Sequence, residues 1–251
     1  MIIFAGKTPS IKKIKEDLRE IAWTTLDKRD AADRPLPVYG RIPNFKGSKE
    51  TALAISDMNV FKRSSVIAIS PDSPQTHVRR YALMSGKLVV VPTPGLREGF
   101  VILDPSKINE KSINEAASVR GFMKYCEKID PWDLPKIDLF IIGSVAVNLK
   151  GARLGKGGGL LDLGYAILRT LNKIDENTPV LTNVHDYQVI DFDIPMERHD
   201  VPVDIIVTPQ RIYYIDKKYY PKPEGIYWDI LRVDDDEVKS FIDKIKRYLR
   251  V

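Results

Sequence analysis

The stretch from Ile137 to Leu171 constrains this chain more than any other: an apolar strand, a glycine-rich loop and an apolar-periodic segment follow one another in it. IDLFIIGS (137–144) runs in, KGARLGKGGGLLD (150–162) forms the loop, and Leu160, Leu161, Tyr165, Leu168 and Leu171 run out at helical spacing. Strand, glycine loop and helix is an anion-binding order, because backbone N–H groups and a helix N-terminus then face the ligand. Gly155, Gly157, Gly158 and Gly159 let those groups approach without a Cβ in the way, and Arg153 and Lys156 add charge-assisted donors. Asp162 stands where a metal ligand would, so the loop has the composition a polyphosphate with magnesium asks for.

Two familiar phosphate loops do not fit it. A Walker loop needs four residues between Gly and Gly-Lys and then Ser or Thr, whereas Gly151 and Gly155 enclose three residues and Gly157 follows Lys156. A dinucleotide fingerprint wants its last glycine inside the helix and an acidic residue about 20 positions on at a strand end, and no clean strand signal lies there. The bland alternative is a flexible, solvated Gly/Lys turn; Arg, Lys and Asp at fixed offsets weigh against it.

Along the chain, short apolar runs at 66–70, 88–91, 137–143, 180–184, 204–208 and 211–215 alternate with helical candidates near 48–57, 74–85, 110–128 and 159–173. An opening helix from about Ser10 carries Ile11, Ile14, Leu18 and Ile21 at helical spacing, with Pro9 ahead of it. The alternation predicts an α/β fold: a mostly parallel, helix-covered sheet with its ligand site at strand C-terminal ends. RPLPVYGRIPNF (34–45) reads as a long irregular crossing. With 251 residues, 43% of them hydrophobic, a single domain over 1–251 is expected.

Composition excludes several classes. Cys126 is the only cysteine, so no internal disulfide can form, and it reads as packing. No run approaches the roughly 18 apolar residues of a membrane helix, and MIIFAGKTPS is too short an apolar patch for a signal peptide, so a cytoplasmic protein is expected. The net charge of +5, from 39 Lys and Arg against 34 Asp and Glu, is spread along the chain without a basic block or an aromatic-interleaved RNA signature. That distribution makes nucleic acid the minor reading and a small polyanion the major one. Lys15 and Arg19, four residues apart, share a helix face and could grip adjacent phosphates, although by spacing alone such a pair is a solvated face. In ERHDVPVD (197–204), His199, Asp200 and Asp204 precede a strand; His199 could neighbour a metal or cap the turn, whereas His185 and His77 have no second metal-type ligand at zinc spacing.

The loop KGARLGKGGGLLD resembles the signature G-x-R-L-G-x-G-x-G-Y-Y-D of the 5-formyltetrahydrofolate cyclo-ligases, also called methenyltetrahydrofolate synthetases. RIPNFKG (41–47), SPDSPQ (70–75), VPTPGLREG (91–99), VHDYQVID (184–191) and HDVPVDIIVTP (199–209) are similar, in order, to the branch called methenyltetrahydrofolate synthase domain-containing proteins. The resemblance covers nearly the whole chain and implies a Rossmann-like fold of the NagB/RpiA/CoA transferase type. It departs at Leu160-Leu161, where catalytic members carry Tyr-Tyr, which removes two hydroxyl donors and an aromatic stacking surface.

What the resemblance implies is an ATP- and Mg²⁺-dependent ligase of one-carbon metabolism. It closes 5-formyltetrahydrofolate, or a related reduced pterin, to the 5,10-methenyl form with release of ADP and phosphate. Lys15 and Arg19 fall on the family's Lys-x-x-x-Arg pair that reaches ATP. Arg153, Leu154, Gly155, Lys156, Gly157, Gly158, Gly159, Leu160 and Leu161 fall on its nucleotide loop, with Lys15, Arg19, Arg153 and Lys156 in the catalytic role of charge neutralisation. Asp162 and Asp200 fall on its magnesium carboxylates, while Asp204 reads as turn chemistry. For the pterin, Asn44, Phe45 and Lys46 offer an amide, an aromatic face and a cation, and Lys156, Gly159 and Leu160 border the same substrate. Thr93, Leu96 and Arg97 could be presented by a proline-stiffened loop, and Tyr187 and Gln188 lie near the nucleotide end. No Ser-His-Asp or Cys-His set is present, as befits a reaction that needs no side-chain nucleophile. Two other readings stand beside this one: a non-catalytic ATP- or pterin-binding paralogue, and an RNA-associated protein. With DDDEVKSFIDKIKRYLRV (234–251) read as one amphipathic segment, the RNA-recognition module that some similar proteins carry is not expected here. Oligomeric state is not legible in the sequence.

Overall fold

The computed structural model describes residues 10–216 and 219–251; Pro9, expected ahead of the first helix, lies outside them. The strands are β1 (Val66–Ile69), β2 (Leu88–Pro92), β3 (Phe100–Leu103), β4 (Glu127–Ile129), β5 (Leu139–Ile141), β6 (Ala146–Val147), β7 (Arg153–Leu154), β8 (Val180–Asn183), β9 (Ile205–Val207) and β10 (Ile212–Tyr214). The helices are α1 (Ile11–Lys28), α2 (Ser48–Asp57), α3 (Asn59–Arg63), α4 (Thr76–Met84), α5 (Ile113–Ala117), α6 (Phe122–Tyr125), α7 (Leu160–Thr170) and α8 (Asp236–Leu249).

Eight strands make one sheet in the order β10-β9-β8-β5-β1-β2-β3-β4. The five inner strands β9, β8, β5, β1 and β2 are parallel, and β10, β3 and β4 extend the edges antiparallel. The alternation of side chains explains why both faces need helices. Val66, Ala68, Val90, Phe140 and Ile206 point into one core with Tyr165 and Ile167 of α7 and Phe241 and Ile245 of α8. Ile67, Ile69, Val89, Val91, Leu139, Ile141 and Val207 point into the opposite core with Ala52 and Ile55 of α2 and Val78 and Ala82 of α4. A strand apolar on both faces is stable only between two helical layers, so the expected mostly parallel, helix-covered sheet is what forms. Among the described residues no helix is long and apolar enough to cross a membrane.

Three expectations about elements are corrected. Residues 110–128 were expected to be helical, but α5 and α6 there are short and β4 follows them. The Ser118 Oγ accepts from the Gly121 N–H, and a Cβ at Gly121 would lie 2.2 Å from the Glu115 carbonyl, so the chain turns where a helix would continue. In α1 the buried residues are Lys15, Leu18, Ala22, Trp23 and Leu26, while Ile11 and Ile21 are each 44% exposed. The contact stripe therefore runs 15-18-22-26, and it carries Lys15 inward. Finally, the glycine loop does not leave β5 directly. The antiparallel ribbon β6–β7 intervenes and packs on α1 through Val145, Ala146, Ala152 and Leu154.

Candidate functional site

In the parallel part of the sheet the chain moves from β1 outward to β2, then returns to β5 on the other side of β1. That reversal is a topological switch point, where the loops leaving two neighbouring strands part and open a crevice beyond their C-terminal ends. Ser70-Pro71-Asp72 leaves β1 and Ile142-Gly143-Ser144 leaves β5, and a Cβ at Gly143 would sit 2.9 Å from Asp72 Oδ2. Glycine is needed there because the carboxylate crosses its backbone. Asp72 is held from behind by the wholly buried Arg79, whose Nη1 donates to the carbonyls of Ser70 (2.6 Å) and Asp72 (3.2 Å) and whose Nε donates to that of Ala117 (2.8 Å). Burial pushes the Arg79 guanidinium down to about 10, opposed by the charge of Asp72.

Arg153, on β7, ties this crevice together. Its Nη1 donates to the Gly143 carbonyl at 2.9 Å, its Nε to the Val201 carbonyl at 3.1 Å, and its Nη2 to Asp162 Oδ1 at 2.5 Å. The same Asp162 oxygen accepts from the Val201 N–H at 2.9 Å. Three segments distant in sequence thus meet on one buried guanidinium. Arg153, expected to lie on phosphate, uses all three of its nitrogens on protein acceptors here and fixes Asp162 in the first turn of α7. Asp162 also sits where the N-terminal dipole of α7 favours a negative charge.

From α1, Lys15 Nζ donates to Asp200 Oδ2 at 2.5 Å and to Glu197 Oε2 at 2.9 Å. The Glu197 N–H closes back on the same Asp200 oxygen at 2.7 Å. The bond from Lys15 holds the Glu197 carboxyl below its usual range. One turn along, Arg19 Nε donates to the Gly155 carbonyl at 2.7 Å. Burial lowers the Arg19 guanidinium, opposed by the charges of Glu16, Asp200 and Asp162. Gly157, at φ +110, lies against this guanidinium, and Gly159, at φ +63, opens α7 in the left-handed region. These two positions require glycine, and both face the cavity.

That cavity has about 670 Å³ and is lined largely by charged side chains, which makes it the polar cavity of the molecule's switch point. The structure brings to its wall Lys15, Arg19, Arg153, Leu154, Gly155, Lys156, Gly157, Gly159, Asp162 and Asp200, and adds Glu197 and His199. Glu197, His199 and Asp200 offer ligand atoms all within 4.8 Å of one another, the group among the described residues suited to holding a cation. Across the loop lies a cleft of only about 50 Å³, lined by Asp72, Thr93, Leu96, Lys156, Gly158, Leu160 and Leu161. Lys156 Nζ approaches Asp72 Oδ1 at 3.7 Å across it, and Asp72 Oδ2 is buried with no hydrogen-bond partner. As folded the cleft is far below the roughly 300 Å³ of a usual small-molecule pocket, so a second ligand would have to displace Lys156.

Other expected residues lie elsewhere. Phe45 is wholly buried against the His185 ring, Asn44 Nδ2 donates to the Arg34 carbonyl at 2.7 Å, and Lys46 pairs with Asp30 at 2.7 Å. None of the three lines either cavity: the loop folds into its own packing, with Phe45 as anchor. Arg97 turns outward to Asp235 and Glu237, both at 3.0 Å. The buried Gln188 donates from Nε2 to the carbonyls of Ser144 and Val145, and Tyr187 lies under Arg29 at the surface. Asp204 Oδ2 accepts from the Val180 N–H and pairs with Lys222, a structural use. Two participants escaped sequence reasoning, Asp72 and Glu197. Asp72 had one available signal, its position three residues beyond an apolar strand.

The sequence profile of the 5-formyltetrahydrofolate cyclo-ligase family matches residues 11–209. The methenyltetrahydrofolate synthase domain-containing protein of Homo sapiens is 41% identical over 219 residues, covering 85% of this chain and 56% of that one. Its counterpart in Danio rerio is 36% identical over 237 residues, covering 92% of this chain and 61% of that one. The chain thus spans about three fifths of the length of these relatives. Among solved structures, the 5,10-methenyltetrahydrofolate synthetase of Aquifex aeolicus aligns with a TM-score of 0.51 at 19% identity, over 81% of this chain and 94% of that one. That likeness speaks for the fold.

Proposed function

The chain belongs to the 5-formyltetrahydrofolate cyclo-ligase family, and from that premise we propose that it is an ATP- and Mg²⁺-dependent enzyme that closes 5-formyltetrahydrofolate, or a related reduced pterin, to the 5,10-methenyl form. The observation that carries the reading is convergence. Lys15 and Arg19 of α1, the glycine loop with Asp162, and Asp200 come from three separate parts of the chain to one polar cavity.

An N-formyl oxygen is a poor leaving group, so ring closure through that carbon needs activation. The γ-phosphoryl of ATP passes to the formyl oxygen and ADP departs; N10 then attacks the formyl carbon, loses its proton, and the C–O bond breaks to release phosphate. The chain's share is positioning and charge neutralisation. Arg19 and Lys156 supply cations at the cavity wall, and the N–H groups of 155–159 supply donors at the start of α7.

The residues present fit a magnesium ion, because Asp200 and Glu197 offer the hard oxygens it prefers close together and Asp162 lines the same cavity. Bound there, it would neutralise phosphate charge and orient the transferred group. In the protein alone Lys15 compensates Asp200 and Glu197. Arrival of a magnesium–phosphate complex would bring a cation to the carboxylates and an anion to the lysine, leaving no charge uncompensated. On the other side of the loop, the unpartnered oxygen of Asp72 is the acceptor for an N–H-rich heterocycle edge. The leucines at 160 and 161 give that cleft an apolar wall in place of phenols.

The test is a spectrophotometric assay for methenyl product from 5-formyltetrahydrofolate, ATP and Mg²⁺, with Asp162→Asn beside it. ATP-dependent product that disappears in the variant is the expected result. Absence of product with ATP still bound would instead support a binding paralogue.

A further inference from the structure

A second cavity, of about 680 Å³, adjoins the polar one, and half of its wall comes from residues 225–238, beyond the part of the chain the family profile matches. One wall is the start of α7, with Leu160, Leu163 and Ala166; the other is Ile226, Tyr227, Leu231 and Val233. The second wall is not a loose tail. The Ile226 N–H donates to Thr170 Oγ1 at 2.8 Å, Arg169 Nε donates to the Pro223 carbonyl at 3.0 Å, and a Cβ on Gly225 would meet Thr170 Oγ1 at 2.7 Å. Farther on, Arg97 grips Asp235 at 3.0 Å, and Val238, Phe241 and Ile242 of α8 enter the main core. A chamber that is apolar inside and built on a fixed frame has the character of a small-molecule site.

Its position limits what it can hold. Gly159, Asp162, Glu197 and His199 border both this chamber and the polar cavity, so the two are rooms on either side of the first turn of α7. One ligand spanning both would be a polyanion joined to a flat, largely apolar ring. The closed cleft with Asp72 and Lys156 shares Gly158, Gly159, Leu160 and Asp162 with this chamber but takes its far side from Asp72, Thr93 and Leu96, at the ends of β1 and β2, which leaves it to the other substrate.

We infer that the segment 225–238 forms the base-binding chamber of the nucleotide, with the purine between Leu160 and Leu163 on α7 and Ile226, Tyr227 and Leu231 opposite, while the phosphates occupy the polar cavity. The inference rests on the reading of that polar cavity as a phosphate site. In this account the family's common part supplies the phosphate and metal groups, and this added segment supplies recognition of the base.

The experiment is a pair of calorimetric titrations, Mg·ATP against Mg·tripolyphosphate, on the wild type, Leu163→Trp, which fills the chamber, and Tyr227→Ala, which opens it. The wild type should prefer ATP by at least about tenfold, a ratio that reports the buried base. Both variants should lose that preference while binding tripolyphosphate as before, which also shows that they are folded. Equal affinity of the wild type for the two ligands would overturn the inference, as would a preference that survives in both variants. Weakened binding of reduced folate with ATP unaffected would give the chamber to the other substrate and equally overturn it. If the wild type binds neither ligand, the phosphate reading of the polar cavity falls first, and this inference with it.

Discussion

Arg153 with Asp162 and Lys15 with Asp200 are both cation–carboxylate contacts of 2.5 Å, and both border the same cavity. The first is closed: the Arg153 side chain is 1% exposed and its other nitrogens reach backbone carbonyls of two further segments. The second is open on one side, since the partner that completes it, Glu197, is 43% exposed and the lysine has a single flexible stem. A planar guanidinium with fixed donors suits a joint, whereas a rotatable ammonium suits an exchange of partners. The comparison teaches that the family's basic residues divide here into one that builds the site and others that are able to greet a ligand.

The largest way to break the contrast is Arg153→Ala. It leaves Asp162 buried without its cation and two carbonyls without a donor, so a loss of about 3–5 kcal/mol is expected. Thermal unfolding should fall by roughly 10 °C, and Asp162→Asn should fall less because the amide still accepts from the Val201 N–H. Lys15→Ala should destabilise less, because Glu197 is exposed and the Asp200 oxygen keeps the Glu197 N–H, and should cost far more in Mg·ATP affinity. Equal destabilisation by the two variants would dissolve the comparison.

Gly157→Ala sharpens it at the loop. At φ +110 an alanine is strained by about 1–3 kcal/mol, and its methyl lies against the Arg19 guanidinium. Nucleotide affinity should drop several-fold, and the thermal midpoint should fall by a few degrees, about 2–4 °C per kcal/mol of strain. The smallest effect concerns pH. Glu197 is held below its ordinary value of 4.5 by the bond from Lys15, so its stabilising contribution is complete above that value and fades as pH falls through the lowered one. Acid unfolding of wild type and Lys15→Ala should therefore converge at low pH, by a margin kept small by the exposure of the carboxylate.

Much of this arrangement could be read from the chain, and the parts that could not share a cause. Glycines at 155, 157, 158 and 159 announce backbone geometry locally, so the loop was legible without knowing its neighbours. The burial of Lys15 was not, because the stripe at 15-18-22-26 is chosen by what α1 packs on, the ribbon β6–β7, rather than by its own isoleucines. Residues 44–46 show the converse. Asn, Phe and Lys suit a pterin by chemical type, yet Phe45 went to packing, which sequence cannot distinguish from stacking on a ligand. Asp72 and Glu197 gain their meaning only from Gly143, Lys156 and Lys15, which approach them from elsewhere in the chain.

The most direct test of the central claim, that the polar cavity beside the switch point holds the nucleotide's phosphates, is the affinity of Mg·ATP for the wild type and for Lys15→Ala combined with Arg19→Ala. The account predicts measurable binding in the first and at least a hundredfold loss, about 2.7 kcal/mol, in a double variant whose melting curve is otherwise close to wild type. Undiminished binding in the double variant would contradict it.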